Sequence, residues 1–451
     1  MDQTHARVVI PTQAPSPPRV AAPIGSVVGG GPVTAPSGPA VGSTPGSVAT
    51  GVAVPVVRRP LYGSGLALAG YELLLDAPGA DDADRLEALV ATLGGTVGVG
   101  ALAGGGMLLV PVPGAVLDGS ADLPTDVEER LHDERVVLAV AERDALAPGA
   151  ADALQRLTHG GSRLCLVGSA WSPALRPLLG LFALARVDVA RVGSAGLAAL
   201  ATRLRDRNIA LIAGSVATLD QLEACRRVGA RYLSGDLVAR PPVVADRALA
   251  PSQLACLRLA TALVRPDVDL TEVELAVRSD PALTMRVLKA VNSAAGGARQ
   301  RVSSIRQAVV LLGPRALLGC VLTAGLSSGG STCPPEAVEA VLLRAHMCEL
   351  LGTTGLVGRP LDGSSAFTVG LVAGLDVLLG SDVADILAEL PVDEAVEQAV
   401  LGQRGPLGAV LADVLAYEAG CSPQLVDVAG LREIHLNALG WAAPLVLGSP
   451  G

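Results

Sequence analysis

Apolar positions change period along this chain and divide it into three stretches. From Val52 to Asp76 they alternate around Gly63, Ser64 and Gly65, the pattern of two strands joined by a tight turn. From Asp81 helical and strand patterns take turns. Helices are predicted over 81–93, 126–131, 150–157 and 196–206, and strands over 107–112, 136–140, 164–167, 185–189 and the run IALIAGSVAT from Ile209. Such β/α alternation predicts a parallel sheet or barrel. After Ala248 the strand patterns stop. Helical spacing continues over 251–264, 270–278, 281–292, 304–313, 314–326, 336–351, 366–379, 383–389, 393–401 and 406–419, an all-α region of about 190 residues. Residues 1–51 are rich in Pro, Gly, Ser and Ala, follow neither period, and are expected to be a disordered tail. The expected organisation is a tail over 1–51, an α/β domain over 52–243 and a helical domain over 250–447.

Composition narrows the function classes. Half of the 451 residues are apolar, enough for buried cores, and the formal net charge is −9 with no basic run. Nucleic-acid binding, which needs a clustered positive face, is not expected. Lys289 is the only lysine. It follows Leu288, so a Walker A loop is absent. Seven scattered cysteines without a CxxC pair point to reduced thiols and a cytoplasmic protein. The uncharged run from Ala88 to Leu117 is interrupted by many glycines and by Pro111 and Pro113, so no membrane insertion is expected.

The densest local signals lie between Asp280 and Gly313. Asp280 and Pro281 form a capped helix start, Leu283, Val287 and Val291 share a face, and Gly296 and Gly297 end that helix. Ser304 and Gln307 have capping-box spacing, and Gly313 before Pro314 stops the second helix. These two segments, DPALTMRVLKAVNSA and SIRQAVVLLG, resemble the signature of the HDOD domain, an all-helical relative of metal-dependent HD phosphohydrolases. The resemblance implies a signalling output module. Lys289, Asn292 and Ser293, at the end of the first helix, are a candidate partner-binding surface; the competing reading is a helix end in which Asn292 bonds local backbone.

The first domain carries a second resemblance. RRPLYGSGLALAGYELLLD is similar to the opening of EAL domains, with Glu72 in the place of the glutamate that names them, and LEACRRVGARYLSGDLVARP resembles their closing segment. Active EAL enzymes hydrolyse cyclic di-GMP with two divalent cations held by oxygen ligands at the carboxyl ends of barrel strands. At the matching positions Pro111, Ala139, Val167, Gly168, Gly214, Ala217 and Ser234 stand in for carboxylate or amide side chains, and Arg186 replaces a lysine. Glu72 and Asp188 remain as vestigial EAL positions, Glu72 being expected to bond backbone or Arg58. In the helical half, GLVAGLD places Ala373 and Gly374 where HD enzymes have a His-Asp pair, and His346 and His132 lack a ligand partner at metal spacing. HExxH, GxSxG and GxGxxG are absent.

The resulting expectation is α/β plus all-α: a degenerate, abbreviated EAL-like β/α barrel followed by an HDOD helical domain. The expected function is that of a non-catalytic signalling or scaffold protein, not an enzyme, without cofactor or metal, acting on unknown signalling partners through its HDOD domain. The alternatives are a cyclic-di-GMP phosphodiesterase, a cyclic-di-GMP receptor, or an HD-type phosphohydrolase.

Overall fold

The computed structural model describes residues 52–235, 251–264 and 304–447, broken at 169–171, 326–333, 357 and 391, together with isolated positions such as 237, 273 and 302. The expected tail over 1–51 lies outside the described residues, as do most of 265–303.

The alternating segments form a hairpin, β1 (Val56–Gly63) and β2 (Leu68–Leu75), which opens a closed barrel. Its turn is tied by Gly63 N to Ala67 O at 2.8 Å and Leu66 N to Gly63 O at 2.9 Å. Six further strands follow in order: β3 (Met107–Pro111), β4 (Val136–Ala141), β5 (Arg163–Val167), β6 (Leu184–Asp188), β7 (Ala210–Gly214) and β8 (Tyr232–Leu233). The pairs from β2 to β8 are parallel, whereas β1 is antiparallel to both its neighbours. A register shift at Leu61/Tyr62 bends β1, so that Tyr62 and Gly63 pair with Leu233 and Tyr232 and close the cylinder.

Successive strand residues face opposite ways. Leu61, Met107, Leu109, Val137, Ala139, Cys165, Leu184 and Ile212 pack as one cluster in the lumen, while Leu73, Leu108, Val110, Leu138, Leu166 and Val187 pack outward. The outer layer comprises α1 (Asp82–Leu93), α2 (Val99–Ala103), α3 (Gly114–Leu117), α4 (Thr125–Leu131), α5 (Glu142–Ala145), α6 (Ala150–His159), α7 (Val189–Arg205) and α8 (Leu219–Arg227). Capping boxes start α1 at Asp81 with Asp84 and α8 at Thr218 with Gln221. The strand complement of the barrel is full. The expected abbreviation falls on the helical layer, where β5 and β6 are joined by two 3-10 turns, Pro173–Leu175 and Leu179–Leu181. No helix follows β1, because a hairpin turn leads straight into β2.

The helical region contains α9 (Pro251–Val264), α10 (Ile305–Gly325), α11 (Pro335–Thr353), α12 (Gly363–Val372), α13 (Leu375–Leu379), α14 (Val383–Ala388), α15 (Glu394–Gly402), α16 (Gly405–Glu418) and α17 (Val428–Leu447). The predicted stop at Gly313 is a kink within α10: its φ of 79° is open to glycine at little steric cost, and Pro314 restarts the helix. Helix α11 buries Val338, Val341, Leu342, Ala345, Met347, Cys348 and Leu351 around its circumference, which makes it the central helix. The sequence reading did not anticipate α17, which packs on α11. Buried apolar residues of barrel and helices, from Val54 and Leu73 to Tyr417 and Ala438, form one continuous core.

Candidate functional site

The carboxyl ends of the barrel strands open on a cleft of about 210 Å³. Its floor holds Glu72, Pro111, Ala139 and Val167, and its rim holds Asp76, Asp82, Arg85, Arg143 and Asp144. Strand alternation turns Glu72 into the barrel from β2, and Arg186 reaches it from β6. Both side chains are largely buried and in direct ion-pair contact. The contact lies too far off the N–H axis of Nε to be a hydrogen bond, and Oε2 of Glu72 has no partner. Gly214 on β7 makes the space for the guanidinium, since a Cβ there would lie 2.9 Å from Arg186 Cζ. Beneath the pair, burial first and the Glu72 charge second push the Cys165 thiol far upward, so it stays neutral.

The expected Glu72–Arg58 contact is replaced by the Glu72–Arg186 pair, and Arg58 instead points outward to the helical region. Asp188 caps α7: its Oδ1 accepts from Ala190 N at 3.0 Å and Arg191 N at 3.3 Å, and its Oδ2 accepts from the Ser215 hydroxyl at 3.2 Å. Asp188 and Glu72 are thus held by different partners. Pro111, Ala139, Val167 and Gly214 supply no side-chain oxygen at the strand ends. A pair of divalent cations needs several oxygen donors apiece. This donor set does not fit a two-metal site, and among the described residues no group of three or more His, Cys, Asp or Glu is arranged to hold a metal.

The rim residues were not found by reading motifs. Arg85 lies 3.0 Å from Asp76 and 3.2 Å from Asp82, and Arg143 lies 3.1 Å from Asp144. Burial, with Asp82 nearby, raises the Asp144 carboxyl above the usual range against the lowering effect of Arg143. Their sequence signal is weak: Asp76 directly follows β2, Asp82 and Arg85 lie in the first turn of α1, and Arg143 and Asp144 lie in α5 after β4.

In the helical region His346 pairs with Glu349 at 2.9 Å and stacks on Trp441 at 4.4 Å between ring centroids. A side chain at position 374 has no room, because a Cβ would lie 2.6 Å from Val341 Cγ2. Ala373 and Gly374 therefore do not fit the metal pair of an HD phosphohydrolase. Lys289 is exposed on a helical stretch. Asn292 is committed to backbone: its amide donates to Leu288 O at 2.8 Å and Val302 O at 2.9 Å, and its Oδ1 accepts from Val302 N at 2.8 Å. Ser293 lies outside the described residues.

The helical region matches the HDOD domain family over residues 250–379. The chain carries an HDOD domain. Barrel followed by HDOD domain is the order and fold class expected from the sequence. A cyclic di-GMP phosphodiesterase of Vibrio cholerae, CdgJ, is 27% identical over 324 residues, covering 68% of this chain and 73% of the relative. A Bacillus subtilis protein, YuxH, is 22% identical over 411 residues, covering 87% and 98%. Among solved structures, the PaMucR phosphodiesterase in complex with c-di-GMP covers 42% of this chain and 96% of its own, at 19% identity and a TM-score of 0.36. The FimX EAL domain from Pseudomonas aeruginosa bound to c-di-GMP covers 41% and 88%, at 17% identity and a TM-score of 0.32.

The expectations of a non-catalytic scaffold and of a protein that is not an enzyme are corrected by the first relative, which is named a phosphodiesterase and matches over more residues than either domain alone contains. The physical reason is that those expectations counted carboxylates at aligned positions only. The cleft also carries Asp76, Asp82 and Asp144, which that count left out; they are paired with Arg85 and Arg143 and form no metal-holding group among the described residues. No helix among the described residues is long and apolar enough to cross a membrane.

Proposed function

We propose that this protein acts on cyclic di-GMP, and that the nucleotide enters the carboxyl-end mouth of the barrel. The observation that carries this reading is the relationship to the protein named a cyclic di-GMP phosphodiesterase, spread over 324 residues. The cleft is compatible with it. Arg85 and Arg143 on the rim present guanidinium forks of the kind that take phosphate oxygens in pairs. At about 210 Å³ the cavity is smaller than the roughly 300–1,000 Å³ of sites that enclose a drug-sized ligand, so a dinucleotide would lie along the rim with one part inserted. Glu72, with one carboxylate oxygen unpartnered at the floor, is the side chain nearest to serving the chemistry.

The name of the relative makes hydrolysis the first activity to assay. Purified full-length protein is incubated with cyclic di-GMP, and both binding and the linear dinucleotide product are measured. Product that scales with protein and is lost in Glu72→Ala establishes a phosphodiesterase. Saturable binding without product establishes a receptor. Absence of both binding and product would overturn the proposal.

The remaining assignments belong to the same reading. The domain boundaries are placed at 52–243 and 250–447, after a segment over 1–51. The cytoplasm is the proposed location, because no disulfide joins the described cysteines and five of them are buried. Lys289 is kept as the exposed cation of an HDOD partner surface, without Asn292, whose polar atoms are occupied. Nucleic acid is not among the proposed ligands, given the net charge of −9.

A further inference from the structure

The β1–β2 hairpin lacks a crossover helix, and its outer face is covered by HDOD helices. The Tyr417 hydroxyl of α16 accepts from Val56 N at 3.0 Å and donates to Val56 O at 3.1 Å. Arg432 of α17 reaches Val54 O at 3.4 Å and Glu87 at 2.8 Å. Burial first and the nearby Glu336 carboxylate of α11 second push the Tyr62 hydroxyl upward. At the centre stands Glu339 of α11, only 1% exposed, whose Oε1 accepts from Arg58 at 2.8 Å and whose Oε2 accepts from the Tyr71 hydroxyl at 2.9 Å.

The Tyr71 ring is clamped as well as bonded. The Arg58 guanidinium lies 4.2 Å from its centroid, and Gly104 leaves its edge room, since a Cβ there would come within 2.5 Å of the ring. Arg58 also donates to Ala101 O at 3.0 Å and Leu102 O at 3.3 Å, which ties α2 to the same point. Tyr71 and Glu72 are neighbours on one strand and face opposite ways. The strand that Glu339 grips from outside is therefore the one that presents Glu72 to the cleft. Its position is further constrained by Gly70, whose Cα packs so closely on β3 that a Cβ would overlap the Met107 backbone at 1.9 Å.

We propose that Glu339 is a positioning residue for the barrel mouth: through Tyr71 and Arg58 it sets where β2 holds Glu72, and so couples the HDOD domain to the nucleotide site. The inference rests on the mouth being the ligand site. A strand gripped on one face and presenting a ligand group on the other has no slack between the two. Changes in how α11 seats on the hairpin are then felt at the next residue along β2.

The test uses the full chain and three variants. Glu339→Gln keeps the shape and removes the charge; Tyr71→Phe removes only the hydroxyl and serves if the first variant does not fold. Asp413→Asn is the control: Asp413 is also buried in the helical region, but its carboxylate accepts from Gln424 N and Leu425 N, both outside the barrel. Cyclic di-GMP affinity and amide exchange over residues 70–75, relative to β5, are measured in each. Glu339→Gln or Tyr71→Phe is expected to weaken binding by about fivefold or more and to speed exchange in β2 alone, and Asp413→Asn to do neither. Unchanged binding and exchange in the Glu339 and Tyr71 variants, or equal changes in the control, would overturn the proposal. Absence of cyclic di-GMP binding by the unsubstituted protein would sink the functional reading; β2 exchange then decides the positioning role by itself.

Discussion

Two buried glutamate–arginine pairs use the β1–β2 hairpin and end differently. On the outer face, Glu339 has both carboxylate oxygens occupied and Arg58 is spent on Glu339, two carbonyls and the face of Tyr71, with only its Nε unpartnered. In the lumen, Glu72 touches Arg186 without an aligned hydrogen bond and keeps Oε2 free beside a cleft. A buried ion pair offsets its desolvation only when its remaining valences are satisfied. The outer pair meets that condition at every polar atom but Arg58 Nε and works as a joint. The inner pair does not, and unfilled hydrogen-bonding capacity beside a cavity is what a ligand can use.

That contrast is open to attack by substitution, first at the joint. Glu339→Ala leaves the Arg58 charge buried without its partner, and thermal or denaturant unfolding should show a loss of about 3–5 kcal/mol. A loss below about 1 kcal/mol would mean the outer pair is no more structural than the inner one.

A second effect concerns acid. His435 of α17 is buried against the Tyr417 ring, both its ring nitrogens lack a partner, and its pKa falls from 6.5 to about 3, chiefly through burial and then through the Arg58 charge. The unfolded chain takes up this proton below pH 6.5 and the folded protein does not, so His435 contributes stability at neutral pH that is lost as pH falls from 6.5 toward 3. Unfolding free energy measured against pH should therefore fall less steeply in His435→Leu, by up to about 1.4 kcal/mol per pH unit in that window. Parallel curves for the two proteins would show that His435 is not held neutral.

Tyr417→Phe should follow, at about 2 kcal/mol, because it strands the N–H and C=O of Val56 at the buried junction; chemical denaturation reads this directly. The smallest stability effect is expected in the lumen. Glu72→Gln should shift unfolding by about 1 kcal/mol or less, since that glutamate makes no aligned hydrogen bond, while changing the cyclic di-GMP titration measurably. A Glu72 variant that destabilises as much as Glu339→Ala would erase the distinction between joint and site.

Period and punctuation carried most of the fold. Alternation around Gly63 to Gly65 defined the hairpin, β/α alternation defined the barrel, and the Ser304 cap is present, its hydroxyl accepting from Gln307 N at 3.2 Å, whereas the expected stop at Gly313 is a kink inside one helix. These are local signals, written within one turn or one strand. Helix α17 escaped because residues 428–447 lack an apolar stripe that stands out: the helix is packed on several sides, and its pattern is smeared accordingly.

The candidate site was legible only where a motif named it. Glu72 and Asp188 could be placed by resemblance, but not their partners, since Arg186 lies more than a hundred residues from Glu72 and meets it only because β2 and β6 face one lumen. Arg58 could have bonded either carboxylate so far as sequence tells. Strand alternation turns Arg58 and Tyr71 outward and Glu72 inward, and the hairpin without a crossover helix leaves a flank that α11 fills with Glu339. By itself the sequence determined which segments are strands and helices, because those choices rest on short-range periodicity and capping. Which charges meet was decided by barrel closure and by the docking of the HDOD helices, because ion pairing depends on distance in space, and separation along the chain does not specify it.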